Sequence, residues 1–198
     1  MNPSAAPPEL LLASTSPYRQ ALLAKLGIPF RSTAPLIDEE SFKHSATSPR
    51  ALAETLAQAK AQSLALAAPD AIIIAGDQVL ALSDQFLGKP GNLPRARDQL
   101  FALSGQRHEL ITALAVLAQG RLITHTDVTT LWMRALSSKE IDRYLDADQP
   151  LDCAGSYKIE ERGIALFERI ESADHTSIMG MPLIALTSIL RDLGLAIP

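Results

Sequence analysis

The sequence predicts an α/β fold, because short apolar runs of strand length alternate with segments of helical periodicity. The first run, Leu10–Ala13, stops at hydroxyl residues, and a helix begins directly after them. Residues 71–77 are apolar except for a final Gly76 and Asp77, which is typical of a buried strand. Between these runs, residues 51–67 are rich in Ala, Leu and Gln. Strand, helix and strand therefore follow one another along the chain.

The first helix begins with a capping signal that also indicates a possible phosphate site. Ser16 suits the N-cap and Pro17 the first helical position, and Gly27 ends the apolar helical pattern. A strand that leads into a helix N-terminus directs backbone N–H groups and the positive end of the helix dipole to one place, here beside Ser14 and Arg19. The alternative interpretation is a well-capped turn with a solvated arginine.

The later elements are predicted from turn and capping residues. Gln119-Gly120 separates two β-branched, apolar segments, which is typical of a hairpin. Ser137 and Glu140 fit a capping box. The expected strands are at 29–34, 71–77 (extended by 79–82), 110–118 and 122–133. The expected helices are at 51–67 (after Ser48-Pro49), 94–103, 140–145 and 182–193. A turn at 87–90 is expected to present Lys89, and residues 163–167 form an apolar segment.

The amino-acid composition of the chain limits the kinds of partner and the cellular location that we expect. The chain has 198 residues, 47% of them hydrophobic and 20% charged, as in globular proteins. Its net charge of -4 argues against a nucleic-acid polymer as partner. No apolar run approaches the ~20 residues that span a bilayer. Residues 1–8 lack a basic segment and are expected to form a loose leader before one domain at 9–198, with no secretion signal.

The single cysteine, Cys153, excludes an intramolecular disulfide and favours a cytoplasmic protein. We expect it to be a small buried residue. The four histidines, His44, His108, His125 and His175, show no metal-ligand spacing. The sequence also lacks a glycine-rich P-loop.

Asp77 is the strongest candidate for chemistry. It is expected at the C-terminal end of a buried strand, where open α/β sheets place ligands, and burial there would make it a base or a metal ligand. The alternative is a carboxylate satisfied by loop N–H groups. The chain also offers cations that suit polyphosphate and oxygens that suit a divalent metal. These residues are Arg19, Lys60, Lys89 and the acidic cluster of Asp38, Glu39 and Glu40.

Several segments, in one order from about Leu10 to Leu193, resemble the Maf family of nucleoside-triphosphate pyrophosphatases. They are Ala13-Ser-Thr-Ser-Pro-Tyr-Arg19, Asp38-Glu39, Ala59-Lys-Ala61, Gly76-Asp-Gln78, Leu87-Gly-Lys-Pro90, Leu103-Ser-Gly105, Ala154-Gly-Ser-Tyr157 and Met179-Gly-Met-Pro-Leu183. The resemblance implies an elongated mixed β-sheet flanked by helices, with two lobes around a central cleft. It also implies a homodimer that hydrolyses a nucleoside triphosphate to the monophosphate and pyrophosphate with Mg²⁺ or Mn²⁺.

The resemblance also implies roles for individual residues. Asp77 would accept the proton of the attacking water or hold the metal, and Glu39, chosen from its acidic cluster by the motif alone, would be the other metal ligand. The phosphate-binding residues would be Ser14, Ser16, Arg19, Lys60 and Lys89.

Three positions make the chain more similar to the family branch that acts on 7-methyl-GTP than to the branch that acts on dTTP and UTP. Tyr18 stands where the pyrimidine branch has Arg, Gln78 where it has Thr, and Glu160 where it has Gln. Methylation at N7 makes guanine cationic, and an aromatic face stabilises such a cation by roughly 0.5 to 2 kcal/mol. The chain departs from its branch at Tyr18, which is often Trp there, and at Glu161-Arg162.

Without the family resemblance, the two residues can be interpreted without a role in base recognition: Tyr18 as a half-covered helix residue and Glu160 as a solvated acidic residue in a loop. Two other functions also stay open. One is a dTTP/UTP pyrophosphatase of the same family, and the other is a nucleotide-binding regulator of cell division without catalysis, against which a carboxylate opposite the cations argues.

Overall fold

A computed structural model describes residues 8–43, 46–83 and 85–197. The expected leader therefore lies outside the described residues except for Pro8, and His44 lies outside them too. Among the described residues, no helix is long and apolar enough to cross a membrane.

A mixed sheet of seven strands forms the centre of the described chain, in the order β2-β1-β3-β5-β6-β7, with β4 also paired to β3. The strand β1 is parallel to β2 and β3, and the other pairs are antiparallel. The expected mixed sheet flanked by helices is confirmed. The strands are β1 (Leu10–Ala13), β2 (Phe30–Thr33), β3 (Ile72–Leu82), β4 (Gln85–Leu87), β5 (Arg107–Ala118), β6 (Arg121–Met133) and β7 (Phe167–Glu171).

Helices cover both faces of the sheet because the central strands β1, β3 and β5 are buried on both sides. One face packs against α3, and the opposite face packs against α1 and α7 at one end of β3 and against α4 and α5 at the other. The helices are α1 (Pro17–Ala24), α2 (Glu39–Lys43), α3 (Pro49–Gln62), α4 (Leu93–Leu103), α5 (Ser138–Asp148), α6 (His175–Ile178) and α7 (Leu183–Asp192), with 3₁₀ turns at Ala154–Ser156 and Arg162–Leu166.

Local signals predicted the turns and caps well. The side chain of Ser16 accepts a hydrogen bond from the Arg19 N–H, and Ser137 and Glu140 form the expected capping box. Gln119 and Gly120 have φ angles of 51° and 75°, the two positive values that a type I′ hairpin turn requires.

Helix α3 is shorter than predicted. It ends at Gln62 rather than at residue 67, with Ser63 as its C-cap; the Ser63 hydroxyl donates to the Lys60 carbonyl, and the turn that follows leaves Leu66 99% exposed. Residues 63–67 therefore no longer follow the helical pattern of burial. Local patterns also missed the short elements α2, α6, β4 and β7.

The expected extension of the strand at 79–82 is present, because β3 continues to Leu82, so Asp77 lies within the strand and not at its C-terminal end. Asp77 nevertheless lies at an open edge. On that edge, pairing with β1 reaches only Ile74 and pairing with β4 begins at Leu80. The gap between the two partner strands is called the β3 notch below. It exposes the middle of a central strand to the cleft.

Candidate active site

A cavity of about 840 Å³ opens at the β3 notch. It is bordered by the turn after β1, by the start of α1, by α3 and by the segments around residues 86–89, 152–160 and 178–180. All ten residues predicted for the site line this cavity: Ser14, Ser16, Tyr18, Arg19, Glu39, Lys60, Asp77, Gln78, Lys89 and Glu160. Residues separated by up to 146 positions in sequence thus border one space. Their chemical roles stay predictions.

Lys60 links the two carboxylates that were expected to hold a metal. Its Nζ lies 2.7 Å from Asp77 Oδ1 and 2.9 Å from Glu39 Oε1. The side chains of Lys60 and Asp77 are buried, whereas that of Glu39 is 48% exposed. Lys60 has three N–H donors, and these contacts use two, so one remains for a phosphate oxygen. Lys60 is therefore a counter-ion of the carboxylates as well as a candidate phosphate ligand.

The two carboxylates have opposite pKa shifts. Burial raises the pKa of Asp77 despite the opposing charges of Lys60 and Arg19. Burial would also raise the pKa of Glu39, but its hydrogen bond to Lys60 and the charges of Lys60, Lys89 and Arg19 lower it. A raised pKa suits a group that accepts a proton, and a lowered pKa suits a permanent anion.

The carboxylates of Glu39 and Asp77 fit a small divalent cation in chemistry. Both are hard oxygen donors beside a single ammonium group. The described residues contain no group of three or more His, Cys, Asp or Glu side chains suited to a metal. Mg²⁺ is commonly held by one or two carboxylates with substrate phosphates and water, so a two-carboxylate site is sufficient.

The turn between β1 and α1 brings two hydroxyls to the cavity. The backbone N–H of Ser16 donates to Ser14 Oγ over 3.1 Å, and Ser16 Oγ accepts from the Arg19 N–H over 3.4 Å. Ser14 is buried and Ser16 is half-buried. Both hydroxyls are thus positioned by backbone contacts at the positive end of α1.

Arg19 is fixed against the backbone on the other side of the cavity. Its Nε donates to the Gly180 carbonyl over 2.9 Å. A Cβ at Gly76 or at Gly180 would lie 3.5 Å from Nε, an ordinary van der Waals distance, so the guanidinium packs directly against both glycines. Burial lowers the pKa of Arg19, opposed by Asp77 and Glu39, but arginine stays charged at neutral pH. Lys89, by contrast, is exposed after β4.

The residues around α6 hold the Gln78 side chain by hydrogen bonds. Its amide Nε2 lies within 2.9 to 3.0 Å of the carbonyls of Ser177 and Ile178. It also lies 3.0 Å from Thr112 Oγ1, which itself donates to the Ser177 carbonyl. Asp127 Oδ2 accepts a hydrogen bond from the Ser177 hydroxyl over 2.7 Å. This buried network fixes the position of the Gln78 side chain in the cavity wall.

Tyr18 contacts residues far away in the sequence. Its hydroxyl lies 3.3 Å from Asp152 Oδ1 and 3.7 Å from Cys153 Sγ. Cys153 is half-buried and lines the cavity, so the expectation of a buried packing residue was wrong. Glu160, on the same cavity wall, is exposed.

Sequence reasoning did not assign a role to several residues that position the site. The Gly180 carbonyl holds Arg19, Ser177 and Thr112 hold Gln78, and Asp152 contacts Tyr18. Gly180 lies in a segment that carries the family resemblance, which is the one signal that pointed toward it. No local pattern indicates Thr112 or Ser177, because their contacts cross the fold.

Comparisons with known proteins match nearly the whole chain. The sequence model of a family described as "Maf-like protein" matches residues 9–193. A protein from Bdellovibrio bacteriovorus, named 7-methyl-GTP pyrophosphatase, is 46% identical over 94% of this chain and 98% of its own length. Proteins of the same name from Xanthomonas axonopodis pv. citri and Pseudomonas syringae pv. tomato are 48% and 44% identical, each over 96% of this chain and 100% of their own lengths.

Proposed function

This chain belongs to the Maf-like protein family, and from that membership we propose that it hydrolyses 7-methyl-GTP to 7-methyl-GMP and pyrophosphate. The names of the relatives support the substrate and the reaction. The observation that carries the proposal is that Asp77, Lys60 and Glu39 form one ion cluster in the same cavity as Arg19 and the N-terminus of α1. The candidate general base Asp77, the anionic Glu39 and several cations therefore border the same cavity.

Hydrolysis proceeds by attack of a water oxygen on the α-phosphorus. The new bond joins that oxygen to phosphorus, the bond from phosphorus to the α–β bridging oxygen breaks, and pyrophosphate leaves with the electron pair. The water proton passes to Asp77, whose raised pKa makes it a better proton acceptor than an exposed aspartate. The products are 7-methyl-GMP and pyrophosphate.

Positive charge stabilises the departing pyrophosphate. Arg19, fixed by the Gly180 carbonyl, presents its remaining guanidinium N–H groups, and Lys60 retains one donor beside the carboxylates. Lys89 reaches from an exposed segment that also lines the cavity. The hydroxyls of Ser14 and Ser16 hold phosphate oxygens at the N-terminus of α1.

Glu39 and Asp77 would hold a Mg²⁺ or Mn²⁺ ion. When bound, such an ion neutralises phosphate charge and lowers the pKa of water. Hydrolysis is therefore expected to stop in the presence of a chelator and to return when excess Mg²⁺ or Mn²⁺ is added.

Tyr18, Gln78 and Glu160 select the nucleobase of the substrate. An aromatic ring and a carboxylate both favour the positively charged 7-methylguanine. The Gln78 amide is fixed at its nitrogen by two carbonyls, so its oxygen is the atom left to meet the base. An oxygen acceptor suits the N–H groups of guanine.

The test is pyrophosphate release measured with 7-methyl-GTP, GTP, dTTP and UTP under identical conditions. We expect the highest kcat/KM with 7-methyl-GTP. A preference for dTTP or UTP would establish the pyrimidine function instead. Binding without pyrophosphate release, across both metals, would favour a regulator.

We also propose that residues 9–198 form one domain, and that the protein acts as a homodimer on free nucleotides in the cytoplasm, as the family resemblance implies. Analytical ultracentrifugation would distinguish the dimer from a monomer of 21.3 kDa. Fractionation of cells would test the compartment.

A further inference from the structure

The first turn of α1 directs its two largest polar residues toward different parts of the cavity. Tyr18 and Arg19 are neighbours in sequence, and successive helical residues point about 100° apart. Arg19 lies near the carboxylates of Asp77 and Glu39 and contacts Gly180. Tyr18 instead contacts Asp152 and Cys153. The helix therefore separates a phosphate end of the cavity from a second end around Tyr18.

The end around Tyr18 also carries a carboxylate, Asp152, to which the proposed function gives no role. Asp152 and Glu160 both line the cavity, and the charges of both act on the Cys153 thiol. Burial raises the pKa of the Cys153 thiol to about 12, and the charges of Asp152 and Glu160 both contribute to that increase. A carboxylate 3.3 Å from the Tyr18 hydroxyl, with a second carboxylate lining the same cavity, makes this end a poor environment for an anion and a good one for a cation.

We propose that Asp152 is a further specificity-determining residue, which selects a positively charged purine at the Tyr18 end of the cavity. This inference rests on the proposed function, because it deepens the choice of base within the same site. Asp152 acts in two ways. Its charge attracts the methylated base directly, and its hydrogen bond from the Tyr18 hydroxyl fixes the ring.

The hydrogen bond also changes the ring itself. A phenol that donates its proton toward a carboxylate gains electron density, and a more negative ring face binds a cation more strongly. The hydroxyl of Tyr18 is therefore functional here. The Tyr18–Asp152 hydrogen bond therefore strengthens the attraction between a single six-membered ring and a cationic base.

The experiment compares two substrates that differ in one methyl group and one charge, 7-methyl-GTP and GTP. The variants are Asp152→Asn, which keeps an acceptor oxygen but removes the charge, and Tyr18→Phe, which keeps the ring but removes the hydroxyl. Asp146→Asn is the matched control, because Asp146 is exposed on α5 and does not line the cavity. Melting temperatures are measured for all three.

We expect Asp152→Asn to lower the ratio of kcat/KM for 7-methyl-GTP over GTP about three- to tenfold, mainly through KM. Tyr18→Phe should lower the ratio less, and the two effects should not add in the double variant, because the residues act as a pair. Asp146→Asn should leave the ratio unchanged. An unchanged ratio in Asp152→Asn, or equal loss with both substrates, would overturn the proposal.

Binding of 7-methyl-GMP and GMP, measured by calorimetry, keeps the inference testable apart from catalysis. If the parent protein prefers 7-methyl-GMP and Asp152→Asn removes that preference, Asp152 selects the base even if no triphosphate is hydrolysed. If the parent protein hydrolyses 7-methyl-GTP while Asp152→Asn binds both monophosphates as the parent does, the proposed function stands and the role of Asp152 is wrong.

Discussion

The Lys60 ammonium lies 2.7 Å from the Asp77 carboxylate in the interior of the protein. The cation that was expected to bind phosphate is therefore also the counter-ion of the expected base. Changing either residue leaves the other as a buried group without its partner. The predictions for these two positions consequently include pH dependence as well as rate.

Asp77→Asn should reduce turnover of 7-methyl-GTP by at least about 10²- to 10⁴-fold, the usual cost of losing a general base. Asparagine keeps the shape and an acceptor oxygen for Lys60, so the circular dichroism spectrum should not change. Pyrophosphate release is measured with Mg²⁺ and Mn²⁺ separately, because a defect in metal binding can be partly rescued by one of them. Asp70→Asn, on an exposed turn, is the control. A near-normal rate would exclude Asp77 from the mechanism.

Activity should fall at acid pH as Asp77 becomes protonated, because a protonated carboxyl cannot accept the water proton. Burial raises the pKa of Asp77 above its ordinary value of 3.8, so kcat/KM should fall at a higher pH than an exposed aspartate would give. Lys60→Met removes the charge that opposes this increase, and the acid limb should then move further upward. The profile of kcat/KM against pH measures both effects. An acid limb that stays in place would contradict the pairing.

Lys60→Ala and Lys89→Ala should both weaken hydrolysis but differ in stability. Charge-assisted contacts to phosphate contribute roughly 1.5 to 3 kcal/mol, or about 10- to 150-fold in kcat/KM. Lys60 is buried with Asp77, so its loss should also lower Tm, whereas Lys89 is exposed and its loss should leave Tm unchanged. Lys25→Ala, at the exposed end of α1, is the control for both measurements. Full activity in both variants would mean that the phosphate groups bind elsewhere.

Arg19→Lys should lower kcat/KM about tenfold or more even though the charge is kept. Lysine has no Nε donor for the Gly180 carbonyl and lacks the planar fork that binds phosphate in two places. The exposed Arg95 on α4 allows the same substitution as a control, because it does not line the cavity. If Arg19→Lys matched the parent enzyme, only the charge at this position would matter.

The triple variant Tyr18→Arg, Gln78→Thr and Glu160→Gln should lose activity on 7-methyl-GTP. It replaces an aromatic ring and an anion with a cation and a neutral amide, which disfavours a methylated guanine. The new threonine also loses the contacts of Gln78 to Ser177 and Ile178. The measurement is the ratio of kcat/KM for 7-methyl-GTP over UTP.

We expect loss of 7-methyl-GTP hydrolysis more firmly than gain of UTP hydrolysis. Removing a favourable contact needs no change in the rest of the pocket, whereas a new contact needs neighbouring residues that fit the new base. The residues proposed to bind phosphate and metal are unchanged in the triple variant, so some hydrolysis of UTP should remain. If the ratio were the same in parent and variant, these three side chains would not select the base.

Local sequence patterns were sufficient where a single turn or helix decides the structure. The cap at Ser16, the capping box at Ser137 and the Gln119-Gly120 turn all depend on backbone geometry within a few residues. The apolar run at residues 71–77 likewise identifies a buried strand, because continuous burial needs continuous apolar side chains. These features can be predicted without knowing what lies across the fold.

The sequence by itself determined the α/β class, the caps and turns, and, through the family resemblance, ten of the residues that border the cavity. Only the tertiary structure decided how those residues are used together. Asp77 reaches the cavity because β1 pairs with β3 only as far as Ile74, which leaves a notch in the middle of the strand. Lys60 is paired with carboxylates, and Tyr18 contacts Asp152. Strand pairing and contacts over more than 100 residues depend on the packing of the whole chain, so no local pattern records them.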